Sequence, residues 1–336
     1  MTGPPDGASA DVMLDEPGPE VHGDEPAPPQ PAFAHQPVLR HEVVGLLAPV
    51  PPGTVLDATV GGGGHAQAIL AAHPHLDLLG LDQDPAALEA AARRLAPHGS
   101  RARLAGRRFD HLAAVLAEAG VERLSGFLFD LGVSSPQLDR PERGFSYRSS
   151  GPLDMRMDPT SPLTAADVVN TYPEADLAEV LRRYGDERHA HRIARAIVAA
   201  RPLGTTGQLA EVVTAAIPAA ARRHGGNPAK RSFQAIRIEV NAELEVLDTA
   251  LAAALDRLAV GGRGLVITYH SGEDRIVKDH FRRRSTVSAP PGLPVLAGLP
   301  SFTVLRPAAR RPSPAEVARN PRAASARLRA VERVAP

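Results

Sequence analysis

A doubly wound α/β fold is predicted by three features of this sequence. Short apolar segments alternate with amphipathic ones from Thr54 to Phe129, at the spacing of a parallel sheet with crossover helices. Two of the apolar segments run into carboxylates, Asp82 and Asp130. Four consecutive glycines, Gly61 to Gly64, separate the first strand from the next helix, where the backbone must turn tightly and can approach a ligand with no Cβ in the way.

The elements follow in order. Residues 40–47 read as a helix stopped by Pro49, and residues 54–60 as the first strand. A helix is predicted over 66–72 and a second strand over 78–81, ending at Asp82. Asp84 precedes Pro85, the N-cap and first-turn proline of a helix over 85–95. A third strand lies near 102–104, a helix over 111–119 stopped by Gly120, and a fourth strand over 126–129. A long polar stretch, Phe129 to Pro159, then holds Phe145, Tyr147, Leu153, Met155 and Met157 among both charge signs. Loops of that length in a compact chain are usually functional or disordered, and this composition argues for order.

Helical patterns follow over 175–184, 189–200 and 208–217. Phe233, Ile236, Val240, Leu244, Leu247, Leu251, Leu255 and Leu258 draw one apolar stripe, which predicts a single long helix ended by Gly261 and Gly262. Strands are expected over 264–269 and 301–305, and a basic final helix over 315–332, interrupted at Pro321. The division expected is an acidic, Pro-rich, disordered tail over 1–32, a sheet domain over 33–138 and 231–336, and an inserted helical domain over 139–230.

Of the 336 residues none is cysteine, which excludes disulfides, thiolate nucleophiles and Cys-based zinc sites. No metal site is expected. No apolar run approaches the ~20 residues of a membrane helix, and a soluble, cytoplasmic protein is the expectation. The formal net charge of zero hides an asymmetry. Residues 1–32 hold seven acids and no Lys or Arg, so the rest carries 38 basic residues against 31 acidic (38 less those seven). That suits a polyanionic partner.

Candidate sites lie at the strand ends. Asp82 is placed to accept hydrogen bonds from both ribose hydroxyls of an adenosine. Gly61, Gly63 and Ala66 also fit the weak G-x-G-x-x-A dinucleotide pattern. Asp130, Ser134, Ser135 and Gln137 offer an acid, two hydroxyls and an amide. His270 is a candidate general base or a structural histidine, and Ser271 a candidate helix cap. Arginines cluster at 182, 183, 188, 192 and 195, and again at 319, 322, 327, 329 and 333, as solvated faces or phosphate contacts.

Assembled, these residues resemble the MraW-type 16S rRNA (cytosine-N4)-methyltransferases. The resemblance covers about His35 to Arg333. It rests on HQPVLRHEVV at 35–44, DATVGGGGH at 57–65, DLGVSSPQLD at 130–139 and ERGFSYRSSGPLDMRMDP at 142–159. It implies a class I S-adenosylmethionine-dependent methyltransferase fold, a Rossmann-like sheet with an inserted all-helical domain. It implies that S-adenosylmethionine is bound by Gly63, Gly64, His65, Asp82, Phe109, Asp130 and Gln137. The substrate implied is a cytidine of small-subunit 16S rRNA at the decoding centre, methylated on its exocyclic amine. Ser134, Ser135, Phe145, Tyr147, Asp154, Arg156, His270 and Ser271 are the substrate-side candidates, with Asp130 the catalytic one. Two positions depart from the family pattern: Gly272 replaces a usual leucine, and Ala324 a common arginine. Two other readings compete: a nicotinamide-dependent oxidoreductase, and a non-catalytic RNA-binding or assembly factor on the same fold.

Deleting residues 1–32 is expected to leave rRNA methylation unchanged in an assay with labelled cofactor; a large loss would show the tail to be functional.

Overall fold

The computed structural model describes residues 37–222, 227–286 and 300–336, so the acidic tail expected over 1–32 lies outside the described residues. Seven strands form one sheet: β1 (Gly53–Asp57), β2 (Leu76–Asp82), β3 (Ala102–Gly106), β4 (Leu124–Asp130), β5 (Leu258–Thr268), β6 (Phe302–Val304) and β7 (Arg327–Arg333). Their order is β3-β2-β1-β4-β5-β7-β6. The first five pair in parallel, and β7 runs antiparallel to both β5 and β6.

Both faces of the sheet are covered, which is why its strands read as apolar runs. Alternate residues serve opposite faces. Leu56, Phe127, Phe129 and Val266 pack with α4 (Leu112–Glu118), α12 (Glu243–Arg257) and α13 (Ser271–Arg284). Val55, Leu128, Leu265 and Ile267 pack with α1 (Arg40–Leu47) and Ile69 of α2 (Gly64–Ala72). Leu78 packs with Ala66 and Leu70 of α2 and with Ala91 and Leu95 of α3 (Pro85–Leu95).

A fourth apolar cluster belongs to the helical segment. After the short α5 (Ser135–Asp139) it draws on α6 (Ala165–Thr171), α7 (Glu174–Gly185), α8 (Ala190–Ala199), α9 (Thr206–Ala216) and α11 (Lys230–Asn241); α10 (Ala219–Arg222), between α9 and α11 in sequence, contributes no buried residue. The polar stretch contributes Phe145, Leu153, Met155 and Met157 to this cluster. The cluster runs on past Lys230 to Val240.

Three expectations are corrected. The stripe from Phe233 to Leu258 is two helices. The chain breaks at Ala242, which sits in the left-handed region at φ 50°. Phe233, Ile236 and Val240 serve the helical segment's core, whereas Leu247, Leu251 and Leu255 serve the sheet. One continuous period thus feeds two cores, and a straight helix cannot face both. Arg237 straps the break, donating to both oxygens of Glu243 (2.7 and 2.9 Å).

Gly261 and Gly262 do not end a helix; they lie inside β5. A Cβ on Gly262 would stand 2.9 Å from the Ser125 carbonyl oxygen, beside the register shift between Leu124 and Gly126. The expected final helix is α14 (Pro314–Arg319), a 3-10 turn over Pro321–Ser325 and then strand β7. The pattern there has period two: Leu328 and Ala330 are buried, and Arg327 and Arg329 alternate with them.

Ala242→Gly is expected to raise stability by about 0.5–1 kcal/mol, since the left-handed conformation costs an L-residue ~1–2 kcal/mol and glycine's added chain entropy offsets part of that. Chemical denaturation of both proteins checks the sign.

Candidate active site

Strands β1, β2 and β4 end at one edge of the sheet in Asp57, Asp82 and Asp130. β1 and β4 are neighbours although far apart in sequence, so this edge holds the switch in strand order where open α/β sheets bind ligands. The turn after β1 knits the three ends together. Thr59 Oγ1 accepts from the Asp130 N–H (2.7 Å), and Asp57 Oδ1 from the Thr59 N–H (3.2 Å). Asp82 accepts from the Gly61 N–H on Oδ2 and the Asp84 N–H on Oδ1, both at 2.9 Å.

The glycines are required by space and conformation. Gly63 has φ 76°, and a Cβ there would lie 3.2 Å from Ala91 Cα. A Cβ on Gly64 would lie 2.6 Å from Pro37 Cγ. The start of α2 is thereby pressed against α3 and Pro37, and its first-turn N–H groups, which have no partner within the helix, sit at the same edge.

Electrostatically the edge is short of positive charge. Burial pushes the Asp57 carboxyl up to about 7, with Asp130 and Asp82 adding to the rise and His65 and the Thr59 N–H opposing it. Burial likewise raises Asp82 to about 6, against the pull of its N–H donors. His65 is 6% exposed, with Nε2 3.5 Å from Asp130 Oδ2 and no well-aligned hydrogen bond at either ring nitrogen. Asp130 Oδ1 accepts from the Tyr269 hydroxyl (2.9 Å). Burial, then Asp130, hold that phenol well above its ordinary pKa, so it stays a donor.

Gln137 is buried; its Nε2 donates to Asp84 Oδ2 (3.2 Å) and its Oε1 accepts from the Ser134 N–H (3.0 Å). Asp84 is also the N-cap of α3, accepting from the Ala86 N–H (3.0 Å). Phe109 is half-buried and meets Phe129 edge to face at 5.5 Å. Ser135 opens α5.

The substrate-side candidates divide. Phe145 is 5% exposed inside the helical segment's core, and Tyr147 stands edge to face with Phe233 at 5.7 Å. Phe145 is thus a packing residue, and the half-buried Tyr147 packs against Phe233. Asp154 and Arg156 form a two-point ion pair (3.0 and 2.8 Å), with Arg156 Nη1 also donating to the Ser161 carbonyl (2.8 Å). His270 Nε2 lies 3.1 Å from Glu273 Oε1, while Glu273 Oε2 takes the Tyr269 N–H (2.7 Å). Burial would raise Glu273, but His270, the Tyr269 N–H and Arg237 outweigh it and hold the carboxyl low. His270 is the N-cap of α13, so Ser271 is not; the Ser271 hydroxyl donates instead to Asp186 Oδ2 (2.6 Å) at the end of α7. Gly272 stands in the first turn of α13, where a Cβ would come 3.2 Å from the His270 ring. Nothing in the structure explains Ala324, which is exposed.

The terminal arginines are mostly engaged. Arg329 clasps Asp274 (2.7 and 3.0 Å), Arg327 reaches the same carboxylate (3.3 Å), and Arg333 donates to the Leu258 carbonyl (2.7 Å). In the helical segment Arg182 pairs with Glu179 and Arg195 with Glu174, while Arg188 and Arg192 are exposed.

Thr59, Tyr269, Arg143 and Asn241 are site residues to which sequence reasoning gave no role. Asn241 Nδ2 donates to the Met155 carbonyl (2.9 Å) and its Oδ1 accepts from the Met157 N–H (2.8 Å), which clamps the polar stretch. Tyr269 carried a signal, since it adjoins His270 and Ser271 at a strand end; the others pair across long separations.

A seven-stranded sheet in this order, with a glycine turn after β1 and acids ending β1, β2 and β4, is the class I S-adenosylmethionine-dependent methyltransferase fold. The model of the MraW methylase family matches residues 32–334, and the chain belongs to that family. It is 56% identical over 311 residues to ribosomal RNA small subunit methyltransferase H of Thermobifida fusca, covering 90% of this chain and 94% of that one. Against the protein of the same name from Mycobacterium tuberculosis it is 54% identical over 318 residues, covering 90% and 80%. Among solved structures, an rRNA methylase from Streptococcus thermophilus aligns at TM-score 0.41 and 13% identity, over 89% of this chain and 98% of that one.

The residues present fit S-adenosylmethionine. Its sulfonium and ammonium charges would answer the raised carboxyls, and its ribose hydroxyls would be donors for Asp82. A cationic cofactor at this edge would favour ionised Asp57, so affinity is expected to rise with pH through about 7 and to weaken by up to ~10-fold per unit below it. S-adenosylhomocysteine, lacking the sulfonium charge, should show a smaller dependence by calorimetry.

The stability of the free protein runs the other way. The folded pKa of Asp57 exceeds the ordinary 3.8, so its stabilising contribution is full below that value and is lost as pH rises through about 7. Asp57→Asn is therefore expected to stabilise the cofactor-free protein at pH ~8 by on the order of a few kcal/mol while weakening cofactor binding. Thermal unfolding and calorimetry on one sample check both signs.

Proposed function

We propose that this chain transfers a methyl group from S-adenosylmethionine to the exocyclic N4 amine of a cytidine in small-subunit 16S rRNA, at the decoding centre. The observation that carries the reading is the meeting of Gly63, Gly64, His65, Asp82, Asp130 and Gln137 on one sheet edge in a chain of this family. The names of its relatives support rRNA as the substrate class. The residues from about 139 through α11 act as the inserted substrate-recognition domain, supported by their separate apolar cluster. The substrate is the rRNA within the small subunit.

The cofactor supplies a methyl group already activated as a sulfonium. The chain's task is mainly alignment, because the lone pair of a cytosine amine is delocalised into its ring. Such positioning supplies up to ~7–11 kcal/mol of a barrier. Asp130 sits where it can do this: the Tyr269 hydroxyl holds Oδ1, Thr59 holds its N–H, and Oδ2 stands beside His65. Oδ2 accepts an amine hydrogen and orients the nitrogen for attack. The target base must leave its stack to reach this edge.

The oxidoreductase reading loses to family membership. No helix among the described residues is long and apolar enough to cross a membrane.

Incubation with labelled S-adenosylmethionine and small subunits lacking the modification is expected to label 16S rRNA; no label would favour a binding role. Asp130→Asn is expected to lower kcat by about 10²–10⁴-fold. Normal turnover with intact cofactor affinity would remove Asp130 from the mechanism.

A further inference from the structure

Arg143 belongs neither to the expected cofactor positions nor to the substrate-side set, yet its guanidinium joins the two regions. Nη1 donates to Asp84 Oδ2 (2.8 Å), and Nη2 donates to the carbonyls of Arg156 and Met157 (3.1 Å each). The Asp84 carboxylate is buried, and the same Oδ2 takes the Gln137 side-chain N–H. One buried oxygen therefore receives both a residue expected at the cofactor and the arginine that holds the polar stretch. On the far side that stretch is under backbone strain, with Met155 at φ 59°, and is kept in place by Asn241. A strained segment held by side-chain clamps responds to small changes in those clamps.

The fork matters. A planar guanidinium meets one carboxylate oxygen and two carbonyls at once; a lysine ammonium at the end of a flexible stem has no such geometry. The charge is spent inside the fold, since Arg143 is 18% exposed and paired with Asp84. It is therefore not available as a phosphate contact.

We infer that Arg143 is a positioning residue coupling the cofactor pocket to the 142–159 segment, so that an occupied pocket sets the Arg156–Met157 backbone and strengthens RNA binding. The identity of the two ligands rests on the methyltransferase reading above. Cofactor held at Gln137 restrains Asp84, Asp84 restrains Arg143, and Arg143 restrains the segment that leads into the helical core. By linkage, bound RNA strengthens cofactor binding by the same factor.

Hydrogen exchange over residues 142–159, with and without saturating S-adenosylhomocysteine, tests the coupling without RNA. The wild-type segment is expected to slow by about fivefold or more, the lower range of allosteric coupling. In Arg143→Lys the slowing should fall below about twofold, with cofactor Kd changed by less than about threefold. Asp84→Asn, which keeps an N-cap, should lose the slowing in the same way from the other end. Equal slowing in wild type and Arg143→Lys overturns the inference, as does an unslowed wild-type segment with the cofactor bound. A second arm measures the Kd for unmodified small subunits with and without S-adenosylhomocysteine. Absence of any RNA binding there contradicts the rRNA reading and leaves the exchange result to judge the coupling.

Discussion

Three neighbouring parallel strands end in carboxylates, and the repulsion among Asp57, Asp82 and Asp130 is balanced by backbone N–H groups, the Tyr269 hydroxyl and one histidine. The arrangement is costly in the free protein: burial carries Asp57 to about 7 and Asp82 to about 6. A fold optimised for stability alone would not keep it. On the function proposed above, a cationic, hydroxyl-bearing ligand would supply the missing charge and donors. Stability given up at the site would then be recovered on binding.

The same edge explains the long detour in the chain. β4 and β5 are adjacent in the sheet, but the helical segment intervenes between them in sequence and builds a core of its own. Its connection to the sheet is largely polar. Asp84 with Arg143, Asn241 with the Met155 and Met157 backbone, Ser271 with Asp186, and Arg237 with Glu243 are directional contacts that set distance and angle. For a reaction governed by alignment, directional contacts are the appropriate kind, since apolar packing alone tolerates sliding. The polar stretch is both a wall of the helical core, through Phe145 and Met157, and a neighbour of the cofactor edge, through Gln137.

Much of this was legible in the sequence where the governing physics is local. The Asp84–Pro85 start of α3 and the turn at Gly61–Gly64 follow from residue chemistry within a few positions. Alternation located β1 to β4. Legibility failed where a tertiary demand overrode the local pattern. The stripe from Phe233 to Leu258 keeps helical period through Ala242, so the break shows only once two cores compete for its halves. In Arg327 to Arg333 the period-two pattern is present but short and arginine-rich, and it becomes decisive only when the edge of β5 supplies a partner for a strand. The place of Phe145 inside the helical core left no mark in the sequence, because composition cannot tell a buried ring from an exposed one. The ties made by Thr59, Arg143 and Asn241 span large sequence separations and left no pattern to read.

The central claim is that the strand-end acids wait for a cation. The most direct test is the titration of the Asp57 carboxyl itself, followed by its carboxyl-carbon resonance in protein labelled at aspartate and assigned with Asp57→Asn. The account predicts a midpoint of about 7 without cofactor that falls well below this when S-adenosylmethionine is bound. An ordinary carboxylate midpoint in the free protein, or one that S-adenosylmethionine leaves in place, would contradict it.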